Sequence, residues 1–208
     1  FTAWGDISLN GDANSFADGN DTVTLAIGSM VESTNRSVTF DSATSALGAI
    51  TILAADGIDI NDAFTSLGLT TLNANSDANS SGDFTVSATG SVSSNNNALS
   101  ISANDILLTG TLNAGTSDVI LLNANNGTIG LGNTAGDMTI DGSELQKIFA
   151  STLALGSTTN GDVTVDGITA IDSDNFGTVT LNSGGDINFS NNDSVFNALT
   201  VNANNDIN

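Results

Sequence analysis

Histidine, cysteine, proline and tyrosine are absent from this 208-residue chain, and only Arg36 and Lys147 are basic. Without histidine or cysteine, catalysis by either residue or by a Ser-His-Asp arrangement is excluded. Pectin-lyase chemistry needs basic groups to abstract a proton and hold an acidic sugar, and the two available cations lie more than a hundred residues apart. Two cations also cannot neutralise a run of phosphates, so nucleic acid is excluded as a partner, and an anionic membrane surface attracts nothing here. No run of about 18 apolar residues exists, so no membrane insertion is expected. No basic segment followed by an apolar one opens the chain. The lack of cysteine fits an extracellular bacterial protein and leaves the redox compartment undecided. The lack of proline spares interior strands the loss of a ladder donor.

What is present is glycine, asparagine, serine, threonine and aspartate, with 23 acids and a net charge of −21. Such polarity is a signature of disorder. Against it stand 39% hydrophobic residues, rich in Val, Ile and Leu and placed in alternation with polar ones, which provide a face to bury. Order is the expectation. The acids suit a chain that stays soluble in salt, repels its neighbours or binds divalent cations.

The clearest pattern closes the chain. Gly177-Thr178-Val179-Thr180-Leu181-Asn182 continues through a Ser183-Gly184-Gly185 corner to Asp186-Ile187-Asn188, and Asn197 to Asn208 repeats that phrase twenty residues on. Period-two alternation makes strands with one buried face, and a fixed offset lets each copy lie on the one before. The same phrases occur from Gly48 onward, at Ile50, Leu72, Phe84, Leu99, Val119 and Met138. Leu99 to Val119 is 20 residues and Val119 to Met138 is 19, whereas Phe84 to Leu99 is 15. Residues 1–47 carry a weaker, shorter repeat. The fold class expected is all-β, a right-handed parallel β-helix (solenoid) with coils of about 20 residues, irregular over 1–47 and regular over 48–208. About ten coils at roughly 4.8 Å make a rod of about 50 Å. Both ends break off in mid-pattern, which predicts an excerpt of a longer protein.

Smaller features carry further expectations. The corner phrase Thr-(Leu/Val)-Asn-(Ala/Ser) recurs at Thr71, Thr111, Thr180 and Thr200, with a variant at Leu121. Its asparagine either stacks as an amide ladder or tolerates a left-handed bend. Ser143 to Phe149 has helical spacing at Leu145, Ile148 and Phe149, with Ser143 and Gln146 as a capping box, and predicts one helical turn near 143–149. Trp4 is expected to cover an end of the core. Outward threonines fall in isolated pairs, so no ice-binding rank is expected.

Carboxylates are the only candidate chemistry. Two at the right separation suffice for glycoside hydrolysis, but most of the aspartates adjoin Gly or Asn, where they serve turns. No enzyme is expected. Asp18 and Asp21 resemble one copy of a calcium-binding nonapeptide, Asp172 and Asp174 begin like an EF-hand loop but meet Phe176 where a ligand belongs, and Asp56, Asp59 and Asp62 are a third weak Ca²⁺ group. No other cofactor is expected.

The phrases Gly-Asp-(Ile/Val/Phe/Met)-Thr-(Ile/Val), Leu-Thr-Val-Asn-Ala and Asn-Asp-Ile, with the segment from Ser143-Glu144-Leu145 to Leu155-Gly156, resemble the long repetitive regions of filamentous-haemagglutinin-type bacterial surface proteins. The resemblance covers most of 48–208. It implies a secreted, right-handed β-helix at the bacterial cell surface, acting as a stalk or adhesin within a larger chain. Expected partners are host or neighbour-cell surface glycans, or the protein itself through end-to-end stacking. The alternatives are a calcium- or carbohydrate-binding module and a self-stacking extracellular filament.

Overall fold

The computed structural model describes residues 1–11, 22–79 and 81–208. Over these the chain is nearly all β, and every strand pair is parallel. Alternation is the cause. In Ile50–Ala54 the first, third and fifth residues are buried while Thr51 and Leu53 face outward, and Leu99–Ala103 repeats the pattern.

From Thr2–Ala3 to Leu99–Ala103, strands leave their immediate successors unpaired and pair with the third strand on; later the step varies, and Ile129–Gly132 pairs with its immediate successor Met138–Ile140. Ile50–Ala54 pairs with Thr70–Asn73, Ile58–Ile60 with Phe84–Val86, and Ala63–Ser66 with Ser91–Ser93. Parallel partners require a crossover; here the crossover is made of the two intervening strands. Sheets of 14, 5 and 4 strands result. The largest has two arms that meet in Ile148–Leu155, whose start pairs with Thr111–Asn113 and whose end pairs with Asp118–Asn123. The first arm carries the longer strands, from Ser29–Ser33 through Asp118–Asn123 to Leu199–Ala203, and the second runs from Val23–Leu25 to Thr111–Asn113.

One continuous apolar cluster fills the space between the sheets. Val38, Ile58, Phe84 and Ile106 stack in register in the five-stranded sheet, and all four are fully buried. Phe40 and Phe64 meet across the core from two sheets, with ring centroids 4.9 Å apart. Each such side chain withdrawn from water stabilises the fold by ~1.5–3 kcal/mol, so parallel ladders that local turns alone would not hold are kept together by their inner face.

Register corrects several spacings. Leu99 does pair with Val119, but Val119 pairs next with Leu153, and Met138 lies in the four-stranded sheet against Ile129. Phe84 belongs to the five-stranded sheet and shares no column with Leu99. The steps Ile50 to Thr70 and Val179 to Leu199 are 20 residues, like the Asn182 to Asn202 contact, while Thr70 to Leu99 and Val119 to Leu153 are longer. Residues 29–46 already lie in full register on 50–66.

The corner asparagines take two roles. Asn73, Asn113 and Asn123 accept from the backbone N–H two residues on, at 3.0, 2.8 and 2.9 Å. Asn202 instead donates to Asn182 at 3.0 Å, a ladder rung. None of them is left-handed; Asn95, Asn96, Asn126 and Asn191 are. The Thr111 copy of the phrase lies in the second arm and the others in the first.

A helical turn, α1, spans Gly142–Leu145. Its cap is Asp141 with Glu144, not Ser143 with Gln146. Ile148 and Phe149 belong to the following strand, where Phe149 is exposed. A second turn, α2 (Ala170–Ser173), packs near α1, and the Gln146 side chain donates to Asp172 at 2.7 Å. Trp4 covers nothing: it is 77% exposed. In the short strand Thr2–Ala3 before it, only Ala3 packs against the core.

Candidate functional site: the acidic corner

Most strands of the five- and four-stranded sheets are entered through an aspartate, as in Gly5-Asp6-Ile7, Gly82-Asp83-Phe84 and Gly185-Asp186-Ile187. The structure gives this residue a recurring role. Its carboxylate accepts the backbone N–H of a neighbouring strand's entry: Asp105 N donates to Asp83 at 3.1 Å, Thr139 N to Asp105 at 2.8 Å, Asp186 N to Asp162 at 2.8 Å and Asp206 N to Asp186 at 3.1 Å.

Stacking like charges opposes this. In water a pair at ~5 Å repels by about 0.8 kcal/mol before screening. A hydrogen bond to a charged acceptor contributes about 1.5–3 kcal/mol, so the bond wins and the column persists. Amides extend it: Asn104 donates to Asp83 at 3.0 Å, Asn125 to Asn104 at 3.2 Å and Asn75 to Asn125 at 3.0 Å.

Beside this column an open depression of about 390 Å³ is lined by Asp56, Asp59, Asp83, Thr85 and Asn104, among others. Burial pushes the Asp59 carboxyl above its ordinary value, the Thr85 hydroxyl pulls it back, and Asp41 adds repulsion. Of the expected calcium group, Asp56 and Asp59 share this depression. Asp62 does not line it; it lies past the end of Ile58–Ile60 and accepts from the Ala63 N–H at 2.7 Å. Asp18 and Asp21 lie outside the described residues. Asp172 is buried and turned back on Thr169, whose N–H and hydroxyl donate to it at 2.8 and 2.6 Å, leaving exposed Asp174 alone at the end of α2. Among the described residues no three carboxylates converge as metal ligands.

No protein-family model, curated protein or solved structure matches the chain significantly. The site is therefore read from its own chemistry.

The α1–α2 corner holds a second acid group, in an open depression lined by Asp141, Ser143, Gln146, Thr169 and Asp172 among others. The Ser143 hydroxyl, with the Glu144 and Ser143 N–H groups, holds Asp141 below the ordinary 3.8, against burial and Asp172. Burial raises Asp172, but the Thr169 hydroxyl, the Gln146 amide and the Thr169 N–H together bring it below 3.8. Burial raises Glu144 above 4.5 despite N–H bonds from Asp141 and Leu108. A depressed carboxyl contributes stability that is present above its unfolded-state value and lost as pH falls through the folded one; Glu144 has the opposite sign. Self-repulsion also falls on acidification. The melting temperature should hold or rise from neutral pH down to the mid-carboxylate range and then drop below 3.8. Asp172→Asn, which has no carboxylate to protonate, should flatten part of that drop in a pH series of thermal melts; an equal drop in both proteins would rule out this assignment.

The aspartate-to-next-strand bond was the feature sequence reasoning missed. Its signal was visible in the recurrence of Asp directly before six of the nine strands of these two sheets. The α2 turn also had a signal, Thr169 three residues before Asp172, but no apolar periodicity to accompany it.

Proposed function

We propose that this chain is a right-handed parallel β-helix with coils of about twenty residues or more, and that it serves as a non-catalytic structural segment of a secreted bacterial surface fibre or adhesin stalk. The observation that supports it most is the in-register, parallel pairing of strands, from Thr2–Ala3 to Leu99–Ala103 always with the third strand on, over a continuous apolar core. Right-handedness rests on the strong preference of parallel crossovers for that hand. The corner carboxylates speak for a scaffold too, since they are engaged by backbone N–H groups of neighbouring strands and so act in holding the coils together. The resemblance to filamentous-haemagglutinin-type repeats points the same way. Such a segment supplies reach and an acidic, hydrated surface; eight strands of the first arm at ~4.8 Å extend about 40 Å.

Calcium binding is the second reading, favoured by the depression that gathers Asp56, Asp59 and Asp83. A pair of measurements separates the two. Small-angle scattering of a stalk segment gives a rod of constant cross-section, and its thermal melt moves by less than ~2 °C between millimolar Ca²⁺ and chelator. A compact scattering curve would sink the β-helix, whereas a rod with a calcium-dependent rise beyond ~5 °C would keep the fold and make the corner a binding site.

A further inference from the structure

We propose that the outer face of the first arm is a self-association surface on which a second copy of this chain packs, sheet against sheet. The outward column Thr51, Thr71, Ser100, Ile120, Ala154 and Thr180 runs in register along it. The threonines expected to be isolated are thus ranked in part. Leu53 and Leu122 stand beside this column, also outward, and neither they nor Ile120 belong to the core cluster.

Charge is what singles this face out. The chain carries −21, yet of the acids in the described residues only Glu32 and Asp118 fall in strands of this arm, one near its end and one at a strand's first residue. The remaining described acids lie at corners, in the helical turns or in other sheets. Two such anions can approach closely only where carboxylates do not face each other, because each like pair in contact repels by about 1 kcal/mol in water. Small hydroxyl and methyl groups at the ~4.8 Å strand spacing interdigitate between facing sheets, and the aliphatic side chains supply the apolar part.

Size decides between the two acid-poor faces. Eight strands about five residues wide cover ~38 by ~16 Å, so two copies bury on the order of 1,200 Å², above the ~1,000 Å² a specific interface needs. The second arm has no acid in its strands before the junction, but these are three or four residues long, and it offers roughly half that area. One self-complementary patch makes a closed, two-fold pair.

The test is sedimentation velocity on the whole chain across ~1–300 µM, at ~20 and ~500 mM NaCl, where the Debye length falls from about 20 to about 4 Å. A closed dimer is expected, with a dissociation constant at least tenfold lower at high salt, because salt screens the repulsion and leaves the uncharged contact. Ser100→Asp, at the centre of the face, should weaken it at least 100-fold with an unchanged circular-dichroism melt, and Thr71→Glu serves in its place if that melt changes. Thr111→Asp, on the second arm, should leave the dimer intact. A monomer at the highest concentration and salt overturns the proposal, as do open-ended polymers that grow with concentration, which mark end-to-end stacking. Equal effects of Ser100→Asp and Thr111→Asp also overturn it.

Discussion

Phe64→Ala is expected to destabilise the chain by ~3–5 kcal/mol, read as a lower urea midpoint with little change in slope. Phe64 is fully buried, lies in register between Thr44 and Val92 in the second arm, and meets Phe40 across the core. Removing the ring loses its transfer free energy and leaves a cavity, and the backbone around it cannot collapse inward. Ladder bonds to strands on both sides hold it at fixed spacing. Phe149→Ala is the matched comparison: the same chemistry in the strand that joins the two arms, but 39% exposed and pointing out. That change should cost under ~1 kcal/mol. Similar losses for the two variants would mean that Phe64 is not in the core and would undo the inward face of the second arm.

Gly110→Ala should be nearly as damaging, at about 3 kcal/mol. A Cβ there would overlap the carbonyl oxygens of Gly90 and Ser87 and press on the Val86 side chain. The backbone has no freedom to recoil, because Gly110 N donates to Val86 and Gly90 N donates to Ser87, at 3.0 and 2.9 Å. A methyl at Gly90 itself would meet the Ile60 carbonyl. These glycines permit the close approach of stacked bends between the five-stranded sheet and the second arm, so their requirement is for space and not for a left-handed backbone. Gly5→Ala, where nothing lies within 4 Å, should be neutral in the same urea titration. If Gly110→Ala melts with the parent, the bends do not stack as closely as described.

Strands were legible because alternation is a local property. Val119, Leu121 and the outward Ile120 could be sorted into a strand without knowing their neighbours, although which face Ile120 would join could not. A helical turn was expected near Leu145 and is there, but the spacing that suggested it was not its cause, since Ile148 and Phe149 lie in the following strand, and its cap is Asp141, two residues before the expected Ser143. The corner aspartates look like turn residues in the sequence because the N–H they accept belongs to a residue about twenty or more positions away. Calcium candidates grouped only in part for the same reason: closeness along the chain put Asp56, Asp59 and Asp62 together, whereas Asp56 and Asp59 line the depression with Asp83, and Asp62 lies past the end of Ile58–Ile60.

By itself, then, the sequence determined that this protein makes short strands with one apolar face, joined by glycine-, asparagine- and aspartate-rich bends, and that it has no histidine, cysteine or cationic chemistry to offer. Composition and period suffice for that, because each residue's preference acts within a few positions. Tertiary structure alone decided register: that Val119 continues to Leu153 and not to Met138, that carboxylates cap neighbouring strands, and that the long arm turns to solvent a face with only Glu32 and Asp118 as acids in its described strands. Register depends on which insertions the bends absorb, and the packing energy that settles it comes from residues far apart in the sequence.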